Sequence, residues 1–194
     1  MSRRSDMLEL AILGLLQDAP MHGYELRKQV HRVLGTVRAL SYGTLYPRLR
    51  DLVLWGYLRE VDRPITGRRA KITYAVTPAG RERLAHLLAA AGPSAWEDEA
   101  FAVHFAFFGR TDASVRLRIL EGRRARLEER LAVIRSNGPA RTATRAGDAY
   151  LTELHRHGVE STEADLRWVA RMIETERENN DRAFRQVGDA LDKE

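Results

Sequence analysis

The chain has 194 residues, 44% hydrophobic and 30% charged, with 32 Lys+Arg against 27 Asp+Glu and a formal net charge of +5. That composition can bury a core in one large domain or two small ones, and it argues against disorder. With no cysteine, disulfides, thiolate catalysis and Cys-ligated metal centres are excluded.

No apolar run approaches the roughly 18–20 residues that span a bilayer. Arg3 and Arg4 open the chain, but the apolar stretch behind them breaks at Gln17-Asp18 with no cleavage site, so neither signal peptide nor anchor is expected. The cytoplasm is the expected compartment. The charge is uneven: residues 1–92 hold 15 Lys+Arg against 8 Asp+Glu, and residues 93–194 hold 17 against 19. A basic first half on a slightly acidic second half suggests a head for a polyanion on a neutral body.

The first expected helix runs from Asp6 to Leu16, with Met7, Leu8, Ala11, Ile12, Leu15 and Leu16 at helical spacing. Asp18-Ala19-Pro20 is a turn signal. A second helix is expected from Met21 to Leu34, stopped by Gly35. A third lies within Ser41–Leu54 and ends at Gly56; Leu45, Leu49 and Leu52 form its buried stripe. A step of about 100° per residue then turns Gly43, Thr44, Pro47 and Arg50 outward, with Tyr46 and Arg48 flanking them. Pro47 implies a late helix start or a local distortion.

Two strand candidates follow, Tyr57–Asp62 and Ala70–Val76. The loop between them holds Arg63, Arg68 and Arg69, and Lys71 opens the second strand, so the hairpin tip is basic. Thr77 as N-cap and Pro78 at the first helical position open a helix to about Ala91. Gly92-Pro93-Ser94 reads as a boundary, which divides the chain into 1–92 and 93–194.

Three helices, a basic-tipped hairpin and a closing helix are the order of a winged helix-turn-helix. Its third helix fits a major groove about 12 Å wide.

The words along the head make this more specific. Met21-His22-Gly23-Tyr24-Glu25-Leu26, Ser41-Tyr42-Gly43-Thr44-Leu45-Tyr46-Pro47-Arg48-Leu49-Arg50-Asp51-Leu52, Gly56-Tyr57-Leu58, Gly67-Arg68-Arg69 and Tyr74-Ala75-Val76-Thr77-Pro78-Ala79-Gly80-Arg81 together resemble the PadR family of transcriptional regulators. The resemblance covers roughly residues 7–90. It departs at Val53, where family members often carry an acid, and in the wing, which reads Arg68-Arg69-Ala70-Lys71-Ile72.

The resemblance implies a homodimer that binds an inverted repeat in double-stranded DNA, usually as a repressor. The implied DNA-facing residues are Tyr24, Ser41, Tyr42, Gly43, Thr44, Tyr46 and Pro47, with the wing basics Arg68, Arg69 and Lys71; Arg48 and Arg50 join them from the helical-face reading.

In the second half, Phe101, Phe105, Phe107 and Phe108 crowd one short helix after Trp96. Trp96, Phe101, Phe105, Phe108 and Trp168 could stack on a planar aromatic effector; the competing reading, and the favoured one, is core packing. A long helix is expected over Asp112–Ser136, with a heptad seam at 113, 117, 120, 124, 127, 131 and 134 that Arg124 interrupts. A loop over 139–146, a helix around Gly147–His157 and a last helix over Ser161–Leu191 follow. The last helix carries a seam at 166, 169, 173, 176, 180, 183 and 187, interrupted by Glu176 and Asn180. Two seam-bearing helices favour an all-α dimerisation domain, so the fold class is mainly α.

Neither a phosphate-binding loop nor a dinucleotide motif occurs. His155 and His157 are the only close histidine pair, and positions two apart on a helix diverge. Neither an enzyme nor a cofactor is expected. The rival reading is a winged helix that binds protein instead of DNA.

Overall fold

The computed structural model describes residues 3–34, 42–61, 72–137 and 146–191. These fall into two compact units, Met1–Val115 and Arg116–Glu194. The first unit runs past the expected 92/93 boundary and takes in the helix after Gly92, which packs on the helices of the head.

The first unit contains α1 (Arg3–Leu16), β1 (Met21–His22), α2 (Gly23–Leu34), α3 (Tyr42–Leu54), β2 (Leu58–Glu60), β3 (Thr73–Val76), α4 (Pro78–Ala89) and α5 (Asp98–Ala106), with short 3-10 turns at Pro93–Trp96 and Phe108–Arg110. The strands form an antiparallel sheet in the order β1-β3-β2, with Met21 opposite Tyr74 and Leu58 opposite Val76. Met21 and His22 were expected to begin the second helix. They pair with β3 instead, His22 Nδ1 and Thr73 Oγ1 share a hydrogen bond of 2.8 Å, and the helix starts at Gly23.

The fold class is the expected one, a winged helix followed by a helical region. α1 is the central element of the head. Leu8, Leu10, Ala11, Ile12, Leu13 and Leu16 are all buried, so α1 is apolar nearly all round, as a helix enclosed on several sides should be. α2, α3, α4 and α5 pack around it, contributing Leu26, Leu49, Leu52, Leu84, Leu88 and Val103 to one core. Phe107 completes that core by lying against Gly14, where no side chain would fit beside its ring.

The turn from α3 into β2 requires Gly56, whose φ is +76°. Thr77 then caps α4: its hydroxyl accepts from Gly80 N–H at 3.1 Å and donates to the Gly56 carbonyl at 2.6 Å.

The second unit is built from α6 (Ala113–Ser136, of which 113–115 belong to the first unit) and α7 (Ala146–Leu191). α7 is one helix of 46 residues, where two were expected. The expected break at 158–160 contains no proline. Ser161 and Thr162 do not cap a new helix there; both hydroxyls donate back to the Gly158 carbonyl, at 3.2 and 2.8 Å.

The two seams face each other within this unit. Leu120, Leu127 and Leu131 are buried with Val169 and Ile173, while Arg124 stays exposed. Ion pairs Arg116–Glu176 (2.8 Å), Arg177–Glu121 (2.8 Å) and Arg135–Glu163 (2.7 Å) fix an antiparallel pairing. Glu176, an apparent interruption of the seam, is buried and paired with half-buried Arg116. The seams therefore serve an intrachain hairpin, not directly the interface between copies that they suggested.

A Cβ on Gly80 would collide with the Tyr57 backbone carbonyl and lie 2.8 Å from Val76 Cγ2. Gly80→Ala should therefore destabilise the protein by about 1–3 kcal/mol, as overpacking does. Gly109→Ala, which points into open space, should change stability by less than about 0.5 kcal/mol in the same urea titration.

Candidate nucleic-acid interface

α3 divides cleanly into two faces. Leu45, Leu49 and Leu52 turn into the core, while Thr44, Tyr46, Pro47 and Arg50 are exposed. The helix begins at Tyr42 and contains Pro47, so it does not start late. Pro47 lacks an N–H, and the Gly43 carbonyl one turn earlier loses its usual helical donor. The ring of Tyr46 approaches Gly23 closely enough that a Cβ there would sit 3.4 Å from its Cε1. This brings the outward edge of α3 against the start of α2, where Tyr24 is 60% exposed. Lys28 Nζ lies 4.9 Å from the Tyr24 ring centroid and Arg27 Cζ 5.8 Å, so the edge is both aromatic and cationic.

Behind it, the Tyr74 phenol is held above its ordinary pKa by burial, reinforced by Glu60 and Tyr46 and opposed by Arg50.

Arg48 does not belong to this outward set. It is buried, and its Nη2 donates to Glu9 Oε2 at 2.9 Å and to the Ser5 carbonyl at 3.1 Å. Its guanidinium also lies 5.0 Å from the Trp55 ring centroid. The other Glu9 oxygen accepts from Arg83 Nε of α4 at 2.7 Å. That hydrogen bond is the main reason the Arg83 pKa is raised.

Glu9 itself is 0% exposed. The sequence reading missed it, although an acid between Leu8 and Leu10 in an otherwise apolar helix was a visible signal: a buried carboxylate must be paired.

Of the remaining expected contacts, Ser41, Arg68, Arg69 and Lys71 lie outside the described residues. Tyr42 and Gly43 are described as helical backbone only.

The aromatic residues of the second expected site are drawn from both units. Phe101 and Phe105 stack with centroids 5.8 Å apart, and Phe105 and Phe108 lie 4.9 Å apart. Phe101 and Phe108 are buried, and Trp96 is half-buried in the Pro93–Trp96 turn of the same unit. Trp168 is on α7 in the second unit. On α5, burial lowers the His104 pKa to about 4, and its Nδ1 has no hydrogen-bond partner among the described residues.

No group of three His, Asp or Glu among the described residues is placed to hold a metal ion. His155 Nε2 is instead engaged by the Ile134 carbonyl at 2.8 Å. None of the described helices is long and apolar enough to cross a membrane.

A three-stranded wing behind three helices, with an exposed polar edge on the third, defines a winged helix-turn-helix protein. Residues 12–86 match the family model described as the transcriptional regulator PadR-like family. The match takes in the head alone, and there the chain is similar to the PadR-like transcriptional regulators.

Similar solved structures include Bacillus subtilis PadR in complex with operator DNA, at 18% identity and TM-score 0.42, covering 87% of this chain and 98% of that one. The same protein in complex with p-coumaric acid aligns at 19% identity and TM-score 0.39, covering 88% and 99%. The regulator TA0346 from Thermoplasma acidophilum is 30% identical with TM-score 0.37, covering 43% of this chain and 79% of that one. No curated protein sequence matches the chain.

Two outcomes follow from the geometry. Arg48→Ala strips one partner from a buried carboxylate and should cost about 3 kcal/mol in urea unfolding, whereas exposed Arg50→Ala should stay within about 0.5 kcal/mol. The second concerns acid. His104 is neutral in the folded state down to about pH 4, but it takes up a proton near pH 6.5 when unfolded. Stability contributed above pH 6.5 is therefore lost as pH falls toward 4, by up to about 3 kcal/mol. His104→Gln should flatten that part of the stability profile, measured by denaturant titration at each pH.

Proposed function

We propose that the protein is a homodimeric, sequence-specific DNA-binding transcriptional regulator of the cytoplasm, a repressor released by a small-molecule effector, rather than an enzyme. The observation that carries this reading is the exposed edge of α3, where Thr44, Tyr46, Pro47 and Arg50 face solvent while Leu45, Leu49 and Leu52 lock the opposite edge to the core. A helix held in this way presents small groups, hydroxyls and one cation to a major groove without having to reorganise. Ser41, Tyr42 and Gly43 join the proposed DNA-facing set from the sequence pattern. Tyr24 and Lys28 suit the adjoining backbone, and Arg68, Arg69 and Lys71 of the wing suit phosphates or a narrow minor groove.

The match of the head to a family of transcriptional regulators supports the regulatory role over a catalytic one. Dimerisation is supported by Tyr150, Leu151 and Leu154, which are 82%, 61% and 66% exposed on the first turns of α7. Three large apolar side chains together on one helix surface suit the matching surface of a second copy. Two copies would then present two α3 edges to the two arms of a pseudo-palindrome. Phe105 stacks on Phe101 and lies tilted against Phe108, and these contacts favour packing over an effector role for that cluster.

The test titrates the purified protein against its own upstream intergenic DNA at several salt concentrations, with an unrelated duplex as control. Selective binding that weakens steeply with salt is expected. Arg50→Ala should reduce the slope of log affinity against log salt by about 0.9 if Arg50 meets a phosphate. Tyr46→Ala should weaken operator binding by roughly tenfold while leaving the control duplex unchanged. A folded dimer that binds neither duplex at low salt would point to a winged helix used as a protein-interaction module.

A further inference from the structure

Behind the exposed edge of α3, three charged side chains from three helices form one connected group. The two oxygens of Glu9 on α1 accept from Arg48 of α3 at 2.9 Å and from Arg83 of α4 at 2.7 Å. Arg48 Nη2 also donates to the Ser5 carbonyl at 3.1 Å. Ser5 and Glu9 are four residues apart on α1, so one side chain of α3 grips two points a turn apart on one face of the central helix. Asp51, 3.9 Å from Arg48 Nη1, and the Trp55 ring hold the guanidinium from the α3 side.

Stability alone does not account for this group. Buried ions are hard to desolvate, and apolar side chains of similar volume often stabilise as well or better. Arg48 Nε is moreover buried with no hydrogen-bond partner among the described residues, which adds a further penalty. What the group adds is direction. Leu45, Leu49 and Leu52 would still pack after a small slide or rotation of α3, but charge-assisted hydrogen bonds would be broken by one. The anchor also follows the weak point of the helix, because Pro47 deprives the Gly43 carbonyl of its helical donor and Arg48 is the next residue. Tyr46 and Arg50 lie two residues before and after Arg48, which at about 100° per residue puts both on the far side of α3.

We infer that Glu9 is a positioning residue for sequence discrimination: acting through Arg48, it fixes the rotation and height of α3 and so sets where Tyr46 and Arg50 meet base edges. The inference rests on the DNA-binding reading above for that consequence, and on the buried group alone for the orientation of α3. A recognition site tolerates roughly 0.5 Å and 10–20° of misplacement. Attraction to phosphates is less demanding, because it depends on charge rather than on aligned hydrogen bonds. Loss of the group should therefore reduce discrimination and spare general DNA affinity.

The experiment uses the full-length protein with the group replaced by apolar side chains, Glu9→Leu, Arg48→Met, Arg83→Leu, and urea unfolding checks that the variant is folded. Its affinity for the upstream intergenic DNA should fall at least about tenfold, while affinity for the unrelated duplex stays within about threefold. Backbone residual dipolar couplings, measured without DNA, read the orientation of α3 against α1. The couplings of residues 44–54 should fit the wild-type orientation in the wild type and depart from it in the variant. Glu9→Gln, which keeps the shape of the side chain, takes its place in both measurements if the triple variant does not fold.

Unchanged discrimination, or an unchanged orientation of α3, in the folded variant would each overturn the inference. A wild type that does not prefer the intergenic DNA counts against the DNA-binding reading instead. The couplings then decide alone: a reoriented α3 upholds the positioning role of Glu9, and an unchanged one overturns it.

Discussion

One buried carboxylate organises the winged-helix head. Glu9 lies inside the most apolar helix of the protein, and each of its oxygens is met by a guanidinium from a different helix, Arg48 of α3 and Arg83 of α4. A charge so placed is tolerable only if both partners stay in position, so the arrangement specifies how α3 and α4 sit on α1 more sharply than leucine packing alone would. Leucines accept small slides and rotations; two directed, charge-assisted bonds do not. The exposed edge of α3 inherits that constraint. Arg48 holds the helix from behind, and Tyr46 and Arg50 on either side of it in sequence are presented at a defined rotation.

The fold was legible wherever a period or a cap expressed it. The leucine stripe of α3, the Thr77-Pro78 start of α4 and the glycine turn at Gly56 follow from local chemistry that acts within a few residues. The errors arose where a distant partner decided. Met21 and His22 have nothing in their own neighbourhood that prefers a strand; β3, some fifty residues on, supplies the hydrogen bonds. Arg48 is adjacent to the outward face by helical geometry alone, and only the presence of Glu9 on another helix draws it inward. The exposed face of α3 was therefore readable from its period, with Arg48 the one described residue of that helix that turns inward instead.

The helical hairpin of the second unit illustrates how a pattern underdetermines its partner. Heptad spacing on α6 and α7 announces that each helix must bury a stripe, but a stripe on the same chain satisfies that need as well as one on another copy. The partly buried Arg116–Glu176 pair, with Arg177–Glu121 and Arg135–Glu163, fixes the direction and register of the hairpin. The apolar surface left over, Tyr150, Leu151 and Leu154, sits outside the seam and would not have been singled out by seam analysis.

Continuity of α7 through Gly158 has a mechanical consequence. A helix of 46 residues at about 1.5 Å per residue is a rod about 70 Å long. Such a rod converts angle into displacement: a tilt of about 5° at one end moves the other by about 6 Å over that length. A break at the expected position would have absorbed the tilt in a hinge. Because the hydroxyls of Ser161 and Thr162 close back onto the Gly158 carbonyl instead, whatever grips one end of α7 has leverage on the other.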